Sequence, residues 1–214
     1  MPTDGLLIGF LAEELNGALA GGRVDRVTQP EKDMLLLHVR AAGRSEKLLL
    51  SASPAYARAH LTDQTYVNPP DAPMFCMLMR KHLIGGRILS LSQARGDRIL
   101  KIVIENRDEL GESAQREMYL ELMGRHSNLT LVQSGRVIDA IRHVTHEMSR
   151  VRQALPGVTF EMPPEQDNLP LSASEEEIFD RLSREEGRLD QALQRTLRGL
   201  SAVTAGEIAF RLTG

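Results

Sequence analysis

The stretch RILSLSQARGDRILKIVIEN, residues 87–106, decides the reading of this chain. Two apolar runs with alternating or continuous hydrophobic character flank the short polar segment Ala94–Asp97, which places Gly96 where the backbone must reverse. The pattern predicts a β-hairpin whose second strand opens on the charged pair Asp97–Arg98. Arg95, Gly96 and Asp97 also spell an adhesion tripeptide, but three residues recur often by chance. By spacing alone, Arg98 is a solvated strand edge and Asp97 a turn acceptor.

The same grammar continues outward. REMYLELMG, NLTLVQ and RVIDAIRHV follow, with turn signals at Gly111, Gly124 and Gly135, and predict an antiparallel meander or sandwich. RVDRVTQ, DMLLLHVR and EKLLLSAS precede it and read as further strands. DGLLIGFLAEELN predicts an opening helix, because Asp4 is a good N-cap and Leu7, Phe10, Leu11 and Leu15 recur at helical spacing. Gly21–Gly22 end that helix. A second helix lies in APMFCMLMRKHL, with Asp71 as its expected cap and Gly85–Gly86 as its stop. LPGVTFEMPPEQDNLPL, residues 155–171, reads as a proline-rich acidic linker. From Ser172 onward the pattern is helical and breaks at Gly199. The expectation is an α+β protein with a β-rich, sandwich-like domain over residues 1–170 and a small helical module over 171–214, truncated before further sequence.

Composition narrows the function classes. The 214 residues are 42% hydrophobic and 26% charged, as in an ordinary globular protein. There is no tryptophan, so reading of single strands by stacked aromatics is not the first expectation. Net charge is −3, yet it is uneven. Between Met79 and Lys101, six Lys or Arg face one acid, whereas Glu161–Glu186 holds nine acids against Arg181 and Arg184. A near-neutral total can therefore hide a basic face. The single Cys76 excludes an internal disulfide framework. No apolar run is long enough to span a bilayer, and the N-terminus lacks signal-peptide order, which predicts a cytoplasmic protein.

Catalytic patterns are sparse. His143 and His146 with Glu147 lack an obvious third partner, so no metal is expected. His126–Ser127 has no nucleophile elbow. Met1–Pro2 would place a proline amine at the N-terminus, as in base-excision glycosylases, but Thr3 stands where those enzymes carry glutamate. No catalytic residue and no cofactor are expected.

Several strings, in order, resemble the NFACT-N domain: DGLLIGFLAEELN, LLLSASPAYARAHLT, PPDAPMFCMLMRKHLIGGRI, DRIL, ELMGRHSNLTLV, IDAIRHV, RQALPGVTFEMPP and RGLSAVTAGEIAFRLTG. That domain opens the family of bacterial RqcH, eukaryotic NEMF and proteins called fibronectin-binding protein A. The resemblance implies a fold similar to the N-terminal domain of formamidopyrimidine glycosylases, without their activity, followed by a helix-hairpin-helix segment. It implies a factor of ribosome-associated quality control that binds the large ribosomal subunit carrying a stalled peptidyl-tRNA. Such a factor recruits tRNA, alanyl-tRNA in bacteria, for tailing without mRNA. The family continues into a coiled coil and further RNA-binding domains.

The family's Asp-Arg pair falls on Asp97–Arg98, its opening aspartate on Asp4, and its GRHSN loop on Gly124–Asn128, with Arg125, His126 and Asn128 as tRNA contacts. Arg80, Lys81, Arg87 and Arg95 would supply phosphate attraction. Main-chain amides near Gly199 or Gly206 would touch RNA backbone. Two alternatives stand beside this reading, a glycosylase-like DNA-binding domain and a surface fibronectin-binding adhesin.

Overall fold

The computed structural model describes residues 4–107 and 111–213. The readings at Met1, Pro2 and Thr3 lie outside the described residues. Helix α1 (Gly5–Leu19) leads into strands β1 (Arg23–Glu31), β2 (Met34–Ala41), β3 (Arg44–Ser51) and β4 (Arg58–Leu61). Helix α2 (Met74–Leu83) precedes β5 (Arg87–Gln93), β6 (Ile99–Arg107), β7 (Ser113–Glu121), β8 (Asn128–Gln133) and β9 (Arg136–Ala140). Helices α3 (Glu175–Leu182), α4 (Leu189–Thr196) and α5 (Ala202–Thr213) follow.

The α+β expectation holds, in the form of one nine-stranded antiparallel sheet in the order β4-β3-β2-β1-β5-β6-β7-β8-β9. The expected sandwich is thus hydrogen-bonded throughout. Its two halves meet at a narrow seam, Arg23 opposite Arg87, closed by Val24 N–H to the Gly86 carbonyl (2.9 Å) and Ile88 N–H to the Gly22 carbonyl (2.8 Å). The glycine pairs that stop the two helices make this approach possible. A Cβ on Gly22 would fall 2.7 Å from Val39, and one on Gly86 2.9 Å from Ile104.

Both halves turn their apolar faces to one core. Leu35, Leu37, Leu48 and Leu50 from one half join Leu100, Ile102, Leu120 and Leu129 from the other. Ile8, Leu15 and Leu19 of α1 and Met79 and Leu83 of α2 fill it. Burial of such side chains stabilises by about 1.5–3 kcal/mol each, which is what holds the halves together. The C-terminal helices gather their own smaller cluster around Leu193, Leu197 and Ala205.

Three local readings are corrected. Helix α2 begins at Met74 after Pro73, without a side-chain cap, so Asp71 does not cap it. β9 ends at Ala140, short of the expected RVIDAIRHV strand, because the chain turns away where Asn128 clips Arg142. Residues 155–171 are no free linker. Thr159 bridges Arg136, Phe160 N–H donates to the Gly135 carbonyl (2.8 Å), and the Phe160 ring stacks on Tyr119 at 4.4 Å between centroids. Proline content signalled a break in regular structure but carried no information about the apolar partner that Phe160 would find.

Candidate functional site at one end of the sheet

Strand pairing brings two sequence motifs to the same sheet end. Ile99 opens β6 opposite Glu121, the last residue of β7, and Glu121 is opposite Asn128, the first of β8. The turn ahead of β6 and the loop between β7 and β8 are therefore neighbours. The Leu122 amide donates to the Arg98 carbonyl at 2.8 Å, tying them directly.

The Asp97–Arg98 turn is tightly built. Arg95 and Gly96 both have positive φ, 55° and 67°, and the Asp97 amide donates to the Ala94 carbonyl at 3.1 Å. Two consecutive left-handed residues match the twist of flanking strands. Asp97 Oδ1 accepts from the Arg98 amide at 2.7 Å and lies 3.9 Å from Arg98 Nε. The Arg98 side chain is 43% exposed, and its terminal nitrogens make no hydrogen bond among the described residues. A guanidinium fork is thus presented by an anchored backbone.

Three chain segments interlock under this turn. Gln93 Nε2 donates to the Gly5 carbonyl (2.6 Å) and to the Asp97 carbonyl (2.8 Å). Arg198 donates to the carbonyls of Arg95 (3.3 Å), Gln166 (3.2 Å) and Asn168 (3.1 Å). Asp4 is buried. Its carboxylate accepts from the Leu7 amide at 2.9 Å, capping α1, and also takes the Ser201 amide and the Thr204 hydroxyl at the start of α5. Burial pushes that carboxyl up, but the bonds from Thr204, Leu7 and Ser201 outweigh it and hold it below the usual carboxylate range. Asp4 thus ties the start of α1 to the start of α5, with its acceptors committed.

A cleft of about 360 Å³ opens between the β7–β8 loop and residues 142–154. Glu121, Arg125, Asn128, Arg142, Arg152 and Phe160 line it. Arg125 and His126 are exposed, with Arg125 Nε donating to His126 Nε2 at 2.9 Å. Asn128 is buried and works as a clip: Oδ1 accepts from the amides of Leu129 (2.9 Å) and Arg142 (3.1 Å), and Nδ2 donates to the Arg142 carbonyl (2.9 Å). Arg142 in turn donates to Asp33 Oδ1 (3.3 Å) and the Arg125 carbonyl (3.0 Å), clasping the two sheet halves beneath the loop. Glu121, 2% exposed, receives both Nη1 (2.6 Å) and Nη2 of Arg152. Burial works against the Arg152 charge, but the Glu121 carboxylate outweighs it and raises the pKa further.

The structure splits the expected basic cluster. Arg95 lies at the site, held by Glu165 (3.3 Å) and the Pro163 carbonyl (3.4 Å). Arg87 begins β5 at the opposite end, about 20 Å away at some 3.4 Å per residue. Arg80 donates to the Val27 carbonyl (3.0 Å), and exposed Lys81 follows it on α2. Gly199 is engaged at the junction with Gly5, and Gly206 lies within α5. His143 pairs with Asp139 (2.7 Å), and among the described residues no group of three His, Cys, Asp or Glu could hold a metal. Nor does any described helix have the length and apolarity to cross a membrane.

Sequence reasoning missed Glu121–Arg152, Arg142 and Arg198. Glu121 inside the apolar run MYLELM was a signal, since a buried acid requires a partner.

An α+β protein built on one nine-stranded antiparallel sheet, with polar side chains gathered at one strand end, is the class that fold and site define. The chain belongs to the family described as NFACT N-terminal and middle domains, whose model matches residues 4–213. It is 43% identical over 214 residues to Rqc2 homolog RqcH of Bacillus subtilis (strain 168), covering 99% of this chain and 38% of that protein. With Rqc2 homolog RqcH of Streptococcus suis (strain 05ZYH33) the identity is 37%, over 99% and 39%. The chain thus spans about two fifths of the length of these relatives. Among solved structures, the N-terminal domain of fibronectin-binding protein PavA from Streptococcus pneumoniae superposes with a TM-score of 0.92 at 35% identity, covering 98% of this chain and 79% of that one. The N-terminal part of the fibronectin/fibrinogen-binding protein of Streptococcus suis gives 0.92 at 38%, with the same coverage.

Proposed function

We propose that this chain is a non-catalytic RNA-binding region of a cytoplasmic factor in ribosome-associated quality control. In this reading the intact factor binds the large ribosomal subunit obstructed by a stalled peptidyl-tRNA. It recruits tRNA, alanyl-tRNA in bacteria, so that the nascent chain is extended without mRNA. The peptidyl transfer belongs to the ribosome. The observation that carries the reading is the convergence of Asp97–Arg98 and the Arg125–His126 loop at one sheet end, in a chain of this family.

The chemistry supports it. Arg98 offers an unoccupied fork for phosphate or a base edge. Asp97 would repel phosphate, so it suits positioning or acceptance from a ribose hydroxyl or a base amine. Arg125 and His126 stand at the rim of the cleft, where an unstacked base could rest against Phe160. The sheet is read as similar to the N-terminal domain of formamidopyrimidine glycosylases, and α4–Gly199–α5 as a helix-hairpin-helix.

The test is tRNA binding and tailing by the full-length protein carrying Asp97→Ala or Arg98→Ala. Both variants are expected to lose tailing while remaining folded, and normal tailing by both would sink the assignment.

An adhesin reading draws on the names of the structural neighbours, which ascribe fibronectin binding to those proteins. Within this chain, Arg95 is held by Glu165 and Asp97 is folded into its own turn, so the tripeptide is not presented as a free loop. Surface labelling of intact cells separates the two readings.

A further inference from the structure

The far side of the seam carries an arrangement that strand folding alone would disfavour. Arg87 of β5, Arg23 of β1 and Arg40 of β2 stand abreast as direct cross-strand partners. The next row along places Arg26 of β1, His38 of β2 and Lys47 of β3 side by side. Each lies next to a buried core residue, Ile88, Val24, Val39, Val27, Leu37 and Leu48 respectively, so all six belong to the outer face of the sheet. Like charges directly opposite one another oppose strand pairing.

Little on the protein offsets this. Asp25, bulged out of β1, pairs with Arg40 (3.0 Å) and more distantly with Arg23 (4.0 Å), whose side chains are each 70% exposed. Arg26 and Arg87 have no ion-pair partner among the described residues, although Glu105 is opposite Arg87 in the register. Among the described residues, Lys47 donates only to the main-chain carbonyls of Asp63 and Gln64 (3.1 Å each). Desolvation, then the charges of Arg26 and Lys47, depress the His38 pKa, which marks a positive local field.

We propose that this outer face of β5, β1, β2 and β3, with Arg87, Arg23, Arg40, Arg26 and Lys47, is a binding surface for the phosphodiester backbone of RNA. Adjacent strands lie about 4.8 Å apart and same-face residues about 6.8 Å apart, so the cations form a regular comb rather than a pocket. A comb of guanidinium forks suits a repeating anion and carries no base readout. The surface sits at the opposite end of the sheet from Asp97–Arg98, so it would hold RNA without selecting it, independently of that site.

The test uses the full-length protein with Arg23→Gln, Arg26→Gln and Arg87→Gln combined, and a mixed-sequence RNA hairpin as probe. The slope of log affinity against log salt is expected to become shallower by about 2–3, since each lost phosphate contact removes roughly 0.7–0.9. Melting temperature is expected to hold or rise as the like-charge rows are relieved. The corresponding Arg→Lys triple is expected to keep the slope. An unchanged slope in the Gln triple overturns the proposal, and so does an equal loss in both triples. Displacement of the hairpin by poly-glutamate as effectively as by RNA would assign the face to an acidic protein instead. Asp97→Ala with Arg98→Ala removes at most one phosphate contact, so it is expected to abolish tailing while changing the slope by no more than about 0.7–0.9, and the failure of one site does not mimic failure of the other.

Discussion

The Gly5 amide donates to the Gly199 carbonyl across 2.7 Å, and the Gly96 carbonyl oxygen closes the same contact from a third segment. A Cβ on Gly5 would lie 2.7 Å from that oxygen, and one on Gly199 2.8 Å from it. Backbone from the start of α1, the Asp97–Arg98 turn and the α4–α5 connection therefore pack with no side chain between them. The helical module is locked to the turn that presents Arg98.

Gly199→Ala is expected to destabilise by about 2–4 kcal/mol, combining a left-handed φ of 82° with overpacking against Gly96. Gly206→Ala, with nothing within 4 Å, is the control and is expected to stabilise by roughly 0.5–1 kcal/mol. Urea midpoints of the two variants measure the difference.

Removing Asp4 strips the cap of α1 and the acceptor at the start of α5 together, so Asp4→Ala is expected to cost about 2 kcal/mol. The folded carboxyl lies below its usual value, so its contribution is complete above that value and fades as pH falls through the lowered one. Asp4→Asn is therefore expected to flatten the acid limb of the stability profile below about pH 4, read from denaturant midpoints against pH.

Glu121→Ala leaves the Arg152 guanidinium, only 22% exposed, without its carboxylate and is expected to cost about 3–5 kcal/mol. Arg152→Lys keeps the charge but loses the fork, and is expected to recover only part of the stability. Thermal unfolding of both variants tests this, and near-wild-type stability of Glu121→Ala would show that the pair does not hold the cleft wall.

Asn128 and Arg125, three residues apart in the same motif, are expected to separate by phenotype. Asn128→Ala loses three hydrogen bonds around a buried amide and is expected to destabilise by about 2–3 kcal/mol. Arg125→Ala, on an exposed side chain, is expected to leave stability within about 0.5 kcal/mol and to weaken tRNA binding. Measuring unfolding and tRNA affinity on both variants distinguishes scaffold from contact.

Much of this was legible from residue order. The alternation in RILSLSQ and REMYLEL marked strands, and Asp4 marked the start of α1, because those signals are local. Gly96 marked the turn at Asp97–Arg98 for the same reason. The capping box at α3, in which Ser174 and Glu177 each bond the other's backbone amide, is a feature of the same local kind. Residues 155–171 misled because proline content reports broken periodicity and says nothing of a stacking partner on β7.

By itself, the sequence determined the α+β class, the Asp4 cap of α1, the turn at Gly96 and the presence of Asp97–Arg98 beside a β-strand, since each depends on neighbours a few residues apart. Only the tertiary structure decided that Asp97–Arg98 and Arg125 share one sheet end and that Arg87 stands with Arg23 and Arg40 at the other. It also decided that Asp4 and Asn128 spend their polar groups on scaffold. Those outcomes depend on which strands pair and in what register, a choice made by burying both sheet halves against one core.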